Sequence, residues 1–170
     1  MSNLRLINET TATSVASVSI NDVFTSDFDI YKMSILYDNS AGNVVRTQMI
    51  NSSGNVVTAS NYDWAILQLR ATGSDQEQNA TNDDDWRMSY EGTAGWNVIT
   101  YIFNPFSSSL YTSYITQSSG YYGGSGLTNL NLNGKGVLKQ TASMSGIKFT
   151  TIGSNFDDFT CRIYGVRVDT

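Results

Sequence analysis

The chain is 170 residues long, enough for one domain with a single sizeable core. Only 15% of its residues are charged and the net charge is −5; three glutamates are too few for exposed helix faces, and ten scattered Lys and Arg form no basic strip for a phosphate backbone. The absence of His removes Ser-His-Asp and Cys-His catalysis, the usual zinc sites and histidine pH switches.

Met1-Ser2-Asn3 opens without a basic patch or apolar run, so no secretory signal is expected and synthesis in a cytoplasm is. Residues 1–12 (MSNLRLINETTA) read either as an arm that docks on a neighbour or as a first strand. TSVASVSI (13–20) alternates irregularly, as a strand does. A turn at Asn21-Asp22 leads into FDIYKMSILY (28–37), where Tyr31, Met33, Ile35 and Tyr37 share one side and predict a core-facing row. Phe24 and Phe28 stand just before that row, among Asp22, Asp27 and Asp29. This mixture predicts the corner of a sandwich, with the rings capping the core and the acids bonding nearby backbone N–H groups.

Residues 38–42 predict a turn and VVRTQMI (44–50) a strand, with Asn51-Ser52-Ser53-Gly54 closing a hairpin to Val56-Val57-Thr58. YDWAILQL (62–69) predicts a long strand with Tyr62, Trp64, Ile66 and Gln68 on one face. Residues 72–85 (TGSDQEQNATNDDD) hold no apolar residue larger than Ala80 and predict an exposed loop. Residues 86–90 and 96–103 read as strands around a turn at 91–95. Residues 110–116 read as another strand and SSGYYGGSG (118–126) as a Gly-rich turn. Four more strands follow at 127–132, 136–140, 147–152 and 159–168. Turn signals every 8–12 residues or so point to an all-β sandwich or barrel of about ten strands, with Trp64, Trp86 and Trp96 in its core. No apolar run approaches the ~18 residues of a membrane span.

Several residues invite a chemical reading. Asp75, Glu77, Asp83, Asp84 and Asp85 offer oxygen ligands of the kind calcium takes. The spacing of an EF-hand is missing, and consecutive Asp side chains on a strand point to alternate sides, so a solvated loop is the better reading. Glu91, beside Tyr90 and near Trp86 and Trp96, is the least implausible general acid of a glycosidase pair, because rings would raise its pKa by desolvation. A turn residue is the better reading there too. Tyr121-Tyr122, with Tyr111 and Tyr114 as weaker candidates, suit a glycan contact, since sugar C–H faces stack on rings while hydroxyls bond amides. The same tyrosines suit an oligomer contact or a cover over the core end, where a ring with a polar tip is favoured, and that reading is preferred. Cys161 stands alone, forms no intrachain disulfide, and reads as a small buried hydrophobe rather than a reactive thiol. The triplets Asn8-Glu9-Thr10, Asn51-Ser52-Ser53 and Asn79-Ala80-Thr81 match the glycosylation pattern but, without a secretory signal, read as polar loops. GYYGGSG lacks the Lys-Ser/Thr ending of a phosphate loop, and no cofactor or metal is expected.

VASVSINDVFTSDFDIYKMSI (15–35) resembles the opening of small β-sandwich structural proteins of tailed bacteriophages, cyanophages especially. In them a Ser/Val strand runs into a turn and then an aromatic-Asp-x-Tyr-Lys strand. NYDWA (61–65) resembles their central aromatic-Asp-aromatic step. GIKFTTIGSNFDDFTCRIYGVRV (146–168) resembles their closing hairpin, which ends in a Tyr-Gly pair, here Tyr164-Gly165. The resemblance covers about a third of the chain and gives no place to the acidic insertion at 72–85. It implies a jelly-roll-like antiparallel β-sandwich in a virion, as a capsid decoration or a fibre component, often trimeric, and it brings no catalytic residue. The expectation is therefore one sandwich domain over 1–170 and a non-enzymatic virion structural protein. Its partners would be copies of itself and capsid or tail proteins, with no nucleic acid and no membrane insertion. The alternative is a receptor- or glycan-binding module at a fibre tip.

Overall fold

The computed structural model describes residues 3–39, 44–71, 73–89, 94–122 and 128–167. These residues form an all-β structure. Its strands are β1 (Leu4–Val15), β2 (Ser17–Ile20), β3 (Ile30–Asp38), β4 (Val45–Asn51), β5 (Tyr62–Arg70), β6 (Gln76–Asp83), β7 (Trp86–Arg87), β8 (Ala94–Phe103), β9 (Thr112–Tyr122), β10 (Thr128–Leu138), β11 (Met144–Thr151) and β12 (Phe156–Val166). Eight make one sheet in the order β1-β12-β3-β8-β9-β10-β5-β6, and four make a second in the order β2-β11-β4-β7. Every paired neighbour runs antiparallel.

The wiring is a nested hairpin. β5 pairs with β6, β4 with β7, β3 with β8 and β2 with β11, so each earlier strand meets a later one around the β5–β6 turn. Successive pairs fall alternately in the large and the small sheet, which is the winding of a jelly roll. Two additions widen the large sheet: the β9–β10 hairpin enters between β8 and β5, and β12 and β1 continue beyond β3. The small sheet covers one face of the large one, and the core lies between them.

Alternation along the strands builds that core. Tyr31, Met33, Ile35 and Tyr37 are all buried, as are Tyr62, Trp64, Ile66 and Gln68. The three tryptophans are buried too. Each large side chain so buried contributes roughly 1.5–3 kcal/mol. The rings of the corner pack as the sequence predicts, while among the described residues the Asp22, Asp27 and Asp29 side chains accept no backbone N–H. Phe24 meets the Tyr31 ring edge-on at 4.8 Å and Phe28 meets it at 5.8 Å, the offset geometry that ring quadrupoles prefer. The Tyr31 hydroxyl accepts the Thr25 N–H at 2.8 Å and donates to the Thr25 carbonyl at 3.1 Å, so the turn is tied to the ring it covers. Asp22, in a left-handed conformation, and Asp27 and Asp29 stay exposed around it.

Three sequence expectations are corrected. Residues 76–83 form edge strand β6 rather than a loop, with Gln76 to Ala80 paired to β5. Residues 118–122 continue β9 instead of turning. The two strands predicted at 127–132 and 136–140 are one, β10, which runs through Gly134 and Gly136. These glycines sit against large neighbours: a Cβ on Gly136 would lie 2.4 Å from the Tyr114 ring and 2.6 Å from the Asp63 carbonyl oxygen. Of the two readings of residues 1–12, the first strand is the one found: residues 4–12 pair with β12 of the same chain.

Candidate functional site

The outer face of the large sheet is the broadest feature that the core does not absorb. Its side chains follow from register. One row across the eight strands reads Glu9, Arg162, Ser34, Ile99, Gln117, Asn133, Leu67, Glu77. The next reads Leu6, Tyr164, Lys32, Tyr101, Ile115, Lys135, Ala65, Asn79. Aliphatic side chains stand among amides on this face. Leu36, Ile99, Ile115, Leu67 and Leu69 keep between 38% and 50% of their surface open to solvent.

Two adjoining troughs of about 440 and 510 Å³ cross the β9-β10-β5-β6 part of the face. Ala65, a short side chain between Lys135 and Asn79, makes the depression, and Ile115 forms a wall of both. The lining is mostly apolar, with Asn79 and Lys135 common to both troughs and Glu77 and Asp63 at opposite ends. At the Asp63 end the charges are matched inside the chain. Lys139 Nζ lies 2.7 Å from Asp63 Oδ1, and Asp63 Oδ1 also accepts the Asn82 N–H at 2.8 Å. The Lys139 ammonium holds the Asp63 carboxyl below the usual carboxylate range.

The four tyrosines named from sequence do not come together as one site. Tyr111 is 53% exposed, beside exposed Leu110, just before β9. Tyr114 is buried, which corrects its reading as a surface contact: its ring packs on Trp86 at 4.8 Å and its hydroxyl donates to the Arg87 carbonyl. The reason is the absent side chain at Gly136, which leaves the ring room to enter the core. Tyr121 and Tyr122 occupy the last two positions of β9, where their backbone pairs with Asn129 and Thr128. Glu91 lies outside the described residues. Cys161 is buried, and burial pushes its thiol up to about 12, so it is an inert core residue.

The acidic run does converge, contrary to the expectation from alternation. Carboxylate oxygens of Asp83, Asp84 and Asp85 lie within 4.8 Å of one another. Protein cations already serve them. Asp85 is buried with Arg87 Nε at 3.1 Å and Arg46 Nε at 3.2 Å. Asp83 accepts the Trp64 indole N–H at 2.9 Å, and the Arg87 guanidinium lies over the Trp64 ring at 5.4 Å. The cluster fastens β7 to β4 and to the end of β6.

Burial pushes the Asp85 carboxyl up to about 6, against the pull of Arg87 and Arg46. The folded state therefore takes up this proton before the unfolded state, whose ordinary value is 3.8. Stability from this group should rise as pH falls from 7 to 4 and be lost as pH climbs back through 6. Against an Asp85→Asn reference, which cannot titrate, the full span should be about 3 kcal/mol. The difference between the two urea midpoints, followed over that range, reads it directly. A difference that stays constant or moves the other way would overturn the assignment.

No family model matches the chain, and no curated protein matches it.

Proposed function

We propose that this chain is a non-enzymatic structural subunit of a bacteriophage particle, as a capsid decoration or fibre component, and that it acts by assembling with copies of itself and with capsid or tail proteins. One observation carries this reading: the band of half-exposed aliphatic side chains on the outer face of the large sheet. Ile99 and Ile115 stand at its centre, in adjacent rows. A face of this kind is a contact surface waiting for a cover. The jelly roll is an architecture that capsid domains use, and the phage resemblance of the corner and closing-hairpin segments supports the same reading. A homotrimer is the assembly that the resemblance implies.

The test is direct. Light scattering of the purified chain should give a homo-oligomer, and Ile99→Ser/Ile115→Ser should shift it towards monomer with an unchanged circular dichroism spectrum. Electron microscopy of labelled particles should then place the protein on the virion. A wild-type chain that stays monomeric up to ~100 μM, well above the micromolar range of modest interfaces, would refute self-assembly.

Glycan recognition at a fibre tip is the second reading. It draws on exposed Tyr111 and on Asn131, Asn133 and Gln117, which give the outer face an amide stripe beside β9. Jelly rolls also serve as lectins. Binding on a sugar array, lost on Tyr111→Ala or on Tyr121→Ala/Tyr122→Ala, would favour it over assembly.

A further inference from the structure

We propose that Lys135 of one copy pairs with Glu77 of a second copy, and that this charge pair sets the register in which outer faces meet. The inference rests on the assembly reading and adds its partner and its key.

Both residues line the 440 Å³ trough, Lys135 from β10 and Glu77 from β6, with β5 between them. They stand two strands and one row apart, roughly 12 Å by ordinary sheet spacings. No ion pair joins them within the chain. Among the described residues neither side chain has a hydrogen-bond or ion-pair partner. Two other charge pairs on the same face are closed within the chain: Glu9 with Arg162 at 2.8 Å and Asp63 with Lys139 at 2.7 Å. One unpaired cation and one unpaired anion thus flank an apolar trough.

That arrangement selects the occupant. A wholly apolar partner would strip water from both charges and return nothing, which opposes binding. A second copy brings an anion for Lys135 and a cation for Glu77. In a contact across a two-fold axis the pair forms twice, and in a ring it forms once per interface. The size agrees as well. Eight strands span about 34 Å and four rows about 20 Å, so the face offers nearly the ~800 Å² that each partner of a standard interface buries. Leu67, between the two charges in the register, supplies the apolar contact at the centre.

Four proteins test this: wild type, Lys135→Glu, Glu77→Lys and the double reversal, each followed by sedimentation equilibrium at low salt. Both substitution sites face solvent, so folding should be unaffected, and thermal melts check it. Each single reversal should weaken association about tenfold or more by setting like charges together. The double reversal should return it to within about threefold of wild type, half of one decade in the affinity scale. If single reversals leave association unchanged, or the double behaves no better than the singles, this pairing is wrong while assembly through the face stands. If the wild type itself never associates, the assembly reading fails and this inference falls with it.

Discussion

Replacing Trp86 by alanine should lower the stability of the domain by about 4 kcal/mol and its melting temperature by roughly 10 °C. Trp86 lies on β7, a two-residue strand that holds to β4 through Thr47 and Arg46. Its ring is fully buried and crosses from the small sheet to the large one. There it meets Tyr62 edge-on at 5.3 Å and Tyr114 at 4.8 Å. Both tyrosines are committed at their tips. Tyr62 donates to the Val57 carbonyl at 2.9 Å and accepts the Met49 N–H at 3.0 Å, while Tyr114 bonds the Arg87 carbonyl. Neither ring can swing freely into the space that Trp86 would vacate, so collapse is limited and the cavity remains. Tyr111→Ala is the control, an exposed ring whose loss should stay within about 0.5 kcal/mol. Chemical denaturation of both variants measures the difference. Equal effects would mean that Trp86 does not pin the two sheets.

Gly146→Ala should cost about 3 kcal/mol or more, an effect of crowding rather than of lost contact. Gly146 sits at a register shift in β11, where β11 changes step against β4. A Cβ there would lie 2.4 Å from the Ile20 carbonyl oxygen and 3.0 Å from the Asn21 Cα. Those are main-chain atoms, so relief requires moving β2 itself. The adjacent Ser145 carbonyl accepts the N–H groups of Val23 and Phe24 at 2.8 and 3.1 Å. Displacing β2 would therefore also strain the corner over the core. Gly54→Ala is the comparison: its φ is +80° but nothing stands within 4 Å of a Cβ. That change pays only for the left-handed backbone, about 1–2 kcal/mol. If Gly146→Ala proves no worse than Gly54→Ala in urea melts, the close approach of β2 is not what holds this position to glycine.

The parts legible in the sequence are those where alternation separates large apolar side chains from polar ones. β3 and β5 are such strands, and their inward rows were identifiable residue by residue. β9 is not. Its inward positions include Thr112, Thr116 and Ser118, all buried. Thr116 and Thr100 share a hydroxyl hydrogen bond at 2.8 Å inside the sandwich. Polar residues satisfied by one another leave no apolar signature, so the sequence alone does not place Tyr114 inside. β6 escaped for the opposite reason. As an edge strand it buries little, and Gln, Glu, Asn and Thr serve it well. Gly134 and Gly136 resemble turn punctuation; their role as room for Ile66 and Tyr114 depends on neighbours distant in sequence. The outer face was hidden by register. Ile99, Ile115 and Leu67 belong to three different strands, and only the ladder brings them into one band.

The nested wiring also has a temporal side. β1 pairs with β12 and β2 with β11, so two of the earliest strands wait for partners more than a hundred residues later. During synthesis they leave the ribosome long before those partners exist. Local hairpins such as β5–β6 and β9–β10 can form on emergence, but the sandwich cannot close until β11 and β12 have followed. Topologies of such high contact order fold slowly. In the meantime the aliphatic side chains meant for the interior and those of the outer face of the large sheet are exposed together, and a chaperone that delays collapse would raise the yield of closed sandwiches.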